Sequence, residues 1–164
     1  MRAVKMRIIE PADAAWIAPH MRGIDILEAW HLTGIEAEQA LRMTIAATPE
    51  PVAGWIDGKL VAAWGVIPRT IACRTGIPWL VATDAMEGVW MSFLTLSEAE
   101  LEEVAEGYDV LTNFVWVENE KAIRWLQWLG FEMVETVYMG AEHAPFYRFE
   151  KRIPAPPADE EEAD

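Results

Sequence analysis

The chain has 164 residues, a length typical of one domain, and 52% of them are apolar, which is enough to bury a core. Its formal net charge of −14 argues against a surface that binds nucleic-acid phosphates, and it favours cationic partners or amine substrates. The single cysteine excludes an intrachain disulfide, and we find no membrane-length apolar run and no signal peptide. We therefore expect a cytoplasmic protein.

The first fifty residues are predicted to form one strand and three helices. Residues 4–9 alternate and are rich in β-branched side chains, which indicates a strand. A short helix is expected from Asp13, a second over residues 24–30 that Gly34 ends, and a third over residues 36–47.

A hairpin and a buried strand are predicted next. Residues 52–56 and 60–67 are apolar runs around Asp57-Gly58, a pair that suits the positive φ angles of a tight hairpin turn. Residues 78–83 form a short apolar run, which predicts a strand buried on both faces.

The pattern is less regular after Thr83. Residues 84–96 have no clear assignment. Ser97-Glu-Ala-Glu100 matches a capping box, so a helix is expected to begin at Ser97 and to run to Glu106, with acids in its first turn.

The remaining elements are expected to close the sheet. A strand (110–117), a helix capped by Asn119 and ended by Gly130 (120–129), and two strands (133–139 and 146–152) are predicted. Residues 153–164 hold five acids, three prolines and no base, which predicts a disordered tail after a single domain over residues 1–152. The element order predicts an α/β (α+β) fold with a mixed central sheet and helices on both faces.

The chain carries two resemblances to known proteins. The segment from Asn119 through Ala122 and Leu129 to Gly130-Phe131 resembles the late strand–helix–strand element of the GNAT (acyl-CoA N-acyltransferase) superfamily. The segments Thr75-Gly-Ile-Pro-Trp-Leu80, Thr83-Asp-Ala85 and 123–131 also resemble small GNAT-like proteins of tailed bacteriophages, some of which are linked to virion assembly.

The resemblance implies a cofactor and candidate residues. It implies acetyl-CoA bound along the strand at Leu80, Val81, Ala82 and Thr83, whose free backbone groups would hold pantetheine and polarise the acyl carbonyl. It places Asn119 near the cofactor, although that residue is also what a plain helix cap would be.

One further carboxylate is a candidate, and we expect no metal. Asp84 follows the strand and could be the general base for an amine, or a simple turn or cap residue. His20, His31 and His143 are too far apart in sequence to show a metal-binding spacing.

Two departures from the superfamily bear on the cofactor. No Arg/Gln-x-x-Gly-x-Gly/Ala loop follows the strand, and the expected helix start at Ser97 carries Glu98, Glu100, Glu102 and Glu103, which would repel a pyrophosphate and make acetyl-CoA binding weak or lost. Seven residues after Asn119, where the superfamily often has a proton-donating tyrosine, the chain has Leu126.

Two functions therefore stand beside each other at this point. One is acetyl transfer from acetyl-CoA to an amine. The other is a non-catalytic GNAT-fold module that binds phage structural proteins and enters the virion. Both allow a homo-oligomer, and neither involves nucleic acid or a membrane.

The acidic tail is expected to be dispensable for folding, because its proline-rich composition cannot add to a core. Deleting residues 154–164 should leave the melting temperature of the protein nearly unchanged in a thermal denaturation experiment. A loss of several degrees would instead show that the tail docks on the domain or on a partner.

Overall fold

A seven-stranded mixed sheet forms the centre of the protein, which we describe from a computed structural model covering residues 3–70, 72 and 74–155. The strands lie in the order β1-β2-β3-β4-β5-β7-β6, and β4 and β5 are the only parallel neighbours in this described sheet. The strands are β1 (Lys5–Ile8), β2 (Val52–Ile56), β3 (Lys59–Pro68), β4 (Thr75–Ala82), β5 (Val110–Trp116), β6 (Glu132–Met139) and β7 (Ala144–Arg152).

Helices cover both faces of this sheet. Ala63 of β3 packs in a cluster with Ile17 and Leu41 from one set of helices, whereas its neighbour Ala62 packs with Phe93 from the other set. The helices are α1 (Ala14–Ile17), α2 (Gly23–Thr33) and α3 (Ala37–Ala47) on the first face, and α4 (Trp90–Ala105) and α5 (Glu120–Trp128) on the second. The predicted fold class is confirmed. None of the described helices is long and apolar enough to span a membrane.

The local signals in the turns were read correctly. Asp57 and Gly58 have φ angles of 51° and 76° in the β2–β3 turn, as a tight hairpin requires. After α5, Gly130 has a φ of 94°, and the amides of Gly130 and Phe131 donate to the carbonyls of Gln127 and Leu126. This pair of hydrogen bonds is a Schellman motif, which explains why a glycine must stand there.

The sheet opens between its two parallel strands. β4 and β5 pair only at Thr75 with Val110 and at Gly76 with Leu111. Beyond these pairs, the side chain of Asn113 spans the gap and donates from Nδ2 to the carbonyl oxygen of Pro78 at 2.8 Å. We call the gap between residues 77–82 of β4 and residues 112–116 of β5 the sheet opening.

The sheet opening corrects one expectation about β4. This strand begins at Thr75, and residues 77–81 are only half-buried, whereas the apolar pattern predicted burial on both faces. A strand that borders a gap has no neighbour on one side to cover it. An apolar run therefore also occurs where a strand lines a cavity.

The start of α4 corrects a second expectation. Residues 84–96 form a 3-10 turn (Asp84–Val89) and the first two turns of α4, so Ser97 lies inside the helix. Its hydroxyl donates to the carbonyl of Leu94 at 2.8 Å and accepts from Nε1 of Trp125 at 3.3 Å, and it caps nothing. The predicted capping box was wrong because Ser-x-x-Glu occurs here on a buried helix face that contacts α5.

This correction also removes the predicted electrostatic obstacle. Glu98, Glu100, Glu102 and Glu103 follow the start of α4 by two turns or more, and no acidic residue lies in its first turn. A helix N-terminus interacts with charged side chains mainly within its first turn, and these carboxylates lie beyond that turn.

The domain boundary shifts by one residue. Ile153 was predicted to belong to the tail, but its amide donates to the carbonyl of Asp109 at 2.8 Å and its side chain packs against the core. Residues 156–164, which make up most of the predicted tail, lie outside the described residues.

Gly130→Ala should lower the free energy of unfolding by about 1–2 kcal/mol, because a left-handed conformation is strained for alanine. The added Cβ would also lie 3.2 Å from Nζ of Lys151, which donates to the carbonyl of Leu129. Denaturant unfolding measures this loss.

Gly23→Ala is the matched control, because no atom lies within 4 Å of an added Cβ there and the residue opens α2. It should be neutral or gain about 0.4–1 kcal/mol. Equal stability of the wild type and the Gly130 variant would contradict the assignment of a constrained helix terminus.

Candidate functional site

Helix α2 is fixed against the end of β4. The amide of Arg22 donates to the carbonyl of Ala82 at 2.8 Å, and the amide of Ala82 donates to Oδ2 of Asp25 at 3.1 Å. At the other end of α2, the backbone of Gly140 in the β6–β7 turn approaches the carbonyl of His31 so closely that a Cβ would collide with it. Both ends of α2 are therefore held by distant segments of the chain.

Asp25 and Glu28 project from α2 on the same side because they are three residues apart. Nδ2 of Asn119 donates to Oε2 of Glu28 at 2.6 Å and lies 3.4 Å from Oδ1 of Asp25. We call these two carboxylates the acid pair. Sequence reasoning missed it, and the local signal that could have found it is two acids at helical spacing in an otherwise apolar helix.

Asn119 stands at the N-cap position of α5, but its side chain makes no capping hydrogen bond. It is 3% exposed, and its Nδ2 group is committed to the acid pair. Its Oδ1 atom is buried and has no hydrogen-bond partner among the described residues. The prediction that this side chain caps the helix was wrong. A buried unpaired acceptor is costly, and it marks a place where a donor from a ligand fits.

Burial shifts the titration of both members of the acid pair. Burial raises the pKa of Glu28 to about 7, and the neighbouring charge of Asp25 adds to this shift, while the hydrogen bond from Asn119 opposes it. Burial also raises the pKa of Asp25, opposed chiefly by the guanidinium of Arg22, whose Nη1 lies 3.9 Å from Oδ1. Glu28 is therefore a carboxyl group that can exchange a proton near neutral pH.

A cavity of about 260 Å³ passes through the sheet opening. Its lining residues come from α2 and α3 on one face and from α4 and α5 on the other, with β4 and β5 between them. Asp25, Glu28, Asn119, Leu80 and Leu126 all line this first cavity.

The backbone of β4 presents one pair of groups to this cavity. Thr83 donates its amide to the carbonyl of Val61, so odd-numbered residues of this stretch pair with β3, and even-numbered ones face the sheet opening. The carbonyl of Pro78 is bonded to Asn113, and both groups of Ala82 are bonded to the α2 segment. Of the described positions 78, 80 and 82, only Leu80 keeps both its N–H and its C=O directed into the opening.

The predicted cofactor residues thus divide into two sets. Leu80 directs its backbone into the first cavity, and Ala82 faces the same way but is occupied by α2. Val81 and Thr83 direct their backbone groups to β3, and the hydroxyl of Thr83 donates to the carbonyl of Leu60.

Asp84 lies apart from the acid pair. It is exposed and lines a second cavity of about 510 Å³, between α5 and the turn that precedes α4. This second cavity is also lined by Thr83, Glu87, Lys121, Arg124 and Trp128. Lys121 and Arg124 form no ion pair with any described residue, so their charges are available to a ligand.

Comparisons with known proteins were informative for structure only. No protein-family model matches the sequence. No curated protein matches it either. Within the described residues, no group of three or more His, Cys, Asp or Glu is placed to hold a metal ion.

Solved acetyltransferases share the architecture. Spermidine N-acetyltransferase from Vibrio cholerae, in complex with CoA and spermine, superposes with a TM-score of 0.68 and 16% identity over 91% of this chain and 95% of that chain. Ard1 from Thermoplasma volcanium gives a TM-score of 0.68 and 17% identity over 93% and 99% of the two chains. A GCN5-related N-acetyltransferase from Kribbella flavida gives 0.66 and 18% over 92% and 98%.

The chain has the GNAT fold. The first cavity passes through the opening between the two parallel strands of this GNAT sheet, and the acid pair lies on the α2 side of it. Identities below one fifth establish the fold alone, so the activity must be argued from the site.

The free energy of unfolding of the Glu28→Gln variant, taken relative to that of the wild type, should increase as the pH rises. A carboxyl group whose folded pKa is raised stabilises the fold while it is protonated, and this contribution is lost between the ordinary glutamate pKa of 4.5 and the folded pKa of about 7. The wild type should therefore lose up to about 3 kcal/mol between pH 4 and pH 8 that the variant keeps, a figure obtained from the shift at 1.36 kcal/mol per pKa unit.

Urea unfolding at both pH values measures this difference. Glu36→Gln, which removes an exposed carboxyl group at the start of α3, is the control and should show little change. A Glu28 variant whose stability relative to the wild type does not vary with pH would show that Glu28 titrates as an exposed group.

Proposed function

We propose that this protein is an N-acetyltransferase that transfers an acetyl group from acetyl-CoA to an amine, with Glu28 as the general base. The observation that carries the proposal is the meeting of Glu28, Asn119 and the backbone of Leu80 in one cavity. A general base works best when its pKa is near the operating pH, and burial brings Glu28 there.

The first cavity is suited to bind the pantetheine and acetyl end of acetyl-CoA. Pantetheine is an extended chain of amides, and the N–H and C=O of Leu80 can pair with such a chain as a neighbouring strand would. An N–H directed into a poorly hydrated cavity also suits the oxygen of an acyl carbonyl as negative charge develops on it. The cofactor would supply an activated acetyl group here.

The second cavity is suited to bind the phosphate end of acetyl-CoA. Lys121 lies in the first turn of α5, and Arg124 follows it by three residues, so the two cations share one side of the helix. They contribute positive charge beside the N-terminal turn of α4, which is free of acids. Asp84 and Glu87 line the same cavity and oppose this charge, so we do not assign the base to Asp84.

The chain's own groups handle the proton. Oε of Glu28 accepts a proton from the attacking amine, and burial then favours the neutral carboxylic acid. Asn119 orients Glu28 through Nδ2 and leaves Oδ1 free to accept from the second N–H of the amine. Because Glu28 must be ionised to act, the rate should rise with pH and level off above about 7.

Leu126 is the observation that favours a second candidate function. It is 6% exposed and packs in the core, so no proton donor stands where the GNAT resemblance places a tyrosine. A GNAT-fold module without chemistry is the alternative that this residue favours.

Calorimetry with acetyl-CoA and an assay of thiol release in the presence of amines test the proposal. We expect the wild type to bind acetyl-CoA and to release CoA when an amine is added. Glu28→Gln should keep acetyl-CoA binding and lose about 10²-fold or more in kcat, the usual contribution of a general base.

Arg124→Gln separates the two ends of the site, because it should weaken acetyl-CoA binding and leave kcat at saturation unchanged. Glu36→Gln should change neither quantity. A wild type that neither binds acetyl-CoA nor releases CoA with any amine would overturn the proposal and favour the non-catalytic module.

A further inference from the structure

We call the part of the first cavity between α2, α3 and the sheet the acceptor half. Charged side chains line one end of it, and the rest of its lining is mostly apolar. Its charged side chains are the acid pair and Arg22, which faces Asp25 at 3.9 Å. Thr33 and Thr44 also line it, and the rest of the lining from α2 and α3 is apolar: Ala29, Leu32, Ala37, Ala40 and Leu41. The carboxylates therefore lie at one end of an apolar chamber.

The polar groups near this apolar wall already have partners. The hydroxyls of Thr33 and Thr44 donate to the carbonyls of Ala29 and Ala40 within their own helices. Nε1 of Trp79 donates to the hydroxyl of Thr48 at 2.8 Å. A second ammonium group on a ligand would therefore find neutral hydroxyl oxygens and no carboxylate among these groups, whereas burial of apolar surface against the wall is favourable.

The charged end has the opposite character, because both carboxylates and Oδ1 of Asn119 are acceptors, beside the single guanidinium of Arg22. Oδ1 of Asn119 is buried without a partner among the described residues, and its Nδ2 must face the acid pair because carboxylates accept. A carboxylate beside a free amide oxygen matches a nitrogen with more than one N–H. A hydroxyl has one proton to donate and carries no positive charge, so it fits this end less well.

We propose that the acceptor substrate is a primary amine on a single apolar body, of the arylalkyl or alkyl type, and that polyamines are poor substrates. This inference rests on the proposed function in that the bound nitrogen would be the one acetylated. A polyamine carries further ammonium groups, and burying one without a partner is costly. Among the described residues that line the acceptor half, the acid pair supplies all the carboxylates, and Glu100 lines the cavity from α4 on the opposite face of the sheet.

The test is amine binding measured by calorimetry without acetyl-CoA, at pH 8, with three probes. 2-Phenylethylamine supplies the amine and the apolar body, 2-phenylethanol keeps the body without the amine, and spermidine supplies amines without the body. We expect 2-phenylethylamine to bind at least tenfold more tightly than either of the others. Glu28→Gln should reduce the affinity for 2-phenylethylamine at least tenfold.

A gain-of-function variant makes the test sharper. Ala37 opens α3 and is half-buried in the cavity wall, so Ala37→Glu adds to the acid pair a third carboxylate that the helix N-terminus tolerates. It should improve spermidine binding at least tenfold. Gln39→Glu adds the same charge at an exposed position of α3 outside the cavity and should not.

The outcomes separate this inference from the proposed function. Spermidine binding as tight as that of 2-phenylethylamine would overturn it, as would equal binding of the alcohol or no binding of any amine. Acetyl transfer to spermidine in preference to 2-phenylethylamine would also overturn it while leaving the acetyltransferase proposal in place. If the protein shows the expected binding preference but releases no CoA with any amine, the amine site is supported and the acetyltransferase proposal is refuted.

Discussion

The short pairing between β4 and β5 is the constraint on which the candidate site depends. Gly76 lets the two strands approach where they pair, since a Cβ there would meet Val66 and Leu111 at 2.5 and 2.9 Å. Past that point the strands separate, and Asn113 is the side chain that bridges them. Backbone groups that a closed sheet would pair with each other are thereby presented to a cavity, and the fold supplies a binding surface before any special side chain is added.

Burying a pair of carboxylates costs folding free energy, and the groups around the acid pair offset part of that cost. Burial raises the cost of ionising both acids, and the charge of Asp25 adds to that cost for Glu28. The amide of Ala82, the side chain of Asn119 and the guanidinium of Arg22 each offset part of it. Ala82 ends β4, whereas Asn119 and Arg22 immediately precede α5 and α2, so groups from three elements of the protein support the pair. Structural ion pairs can also be buried, but they seldom leave an acceptor such as Oδ1 of Asn119 unpaired.

Local chemistry allowed most of the fold to be predicted and little of the site. Asp57-Gly58 and Gly130 act through their own φ angles, so their roles can be recognised within a few residues of sequence. The acid pair acquires its character from contacts with Ala82 and Asn119, which are 57 and 91 positions away along the chain. Ser97 shows the converse error, because a local motif that often starts a helix was overruled by packing against Trp125. Asp84 was named as a candidate base, beside a turn or cap role, because it follows the strand; the sequence could not show that this residue is exposed.

The contact between Gly140 and His31 implies that the length of the β6–β7 turn is constrained during evolution. Surface turns ordinarily tolerate insertions and deletions, because they contact little else. Here the turn carries a positive-φ glycine whose missing side chain makes room for the last turn of α2, the helix that bears both acids. Among descendants of this sequence, a change of length in that turn would displace α2 and alter the chamber without touching any residue that lines it. Conservation of turn length, together with a glycine at that position, would therefore mark the homologues that keep the same chemistry.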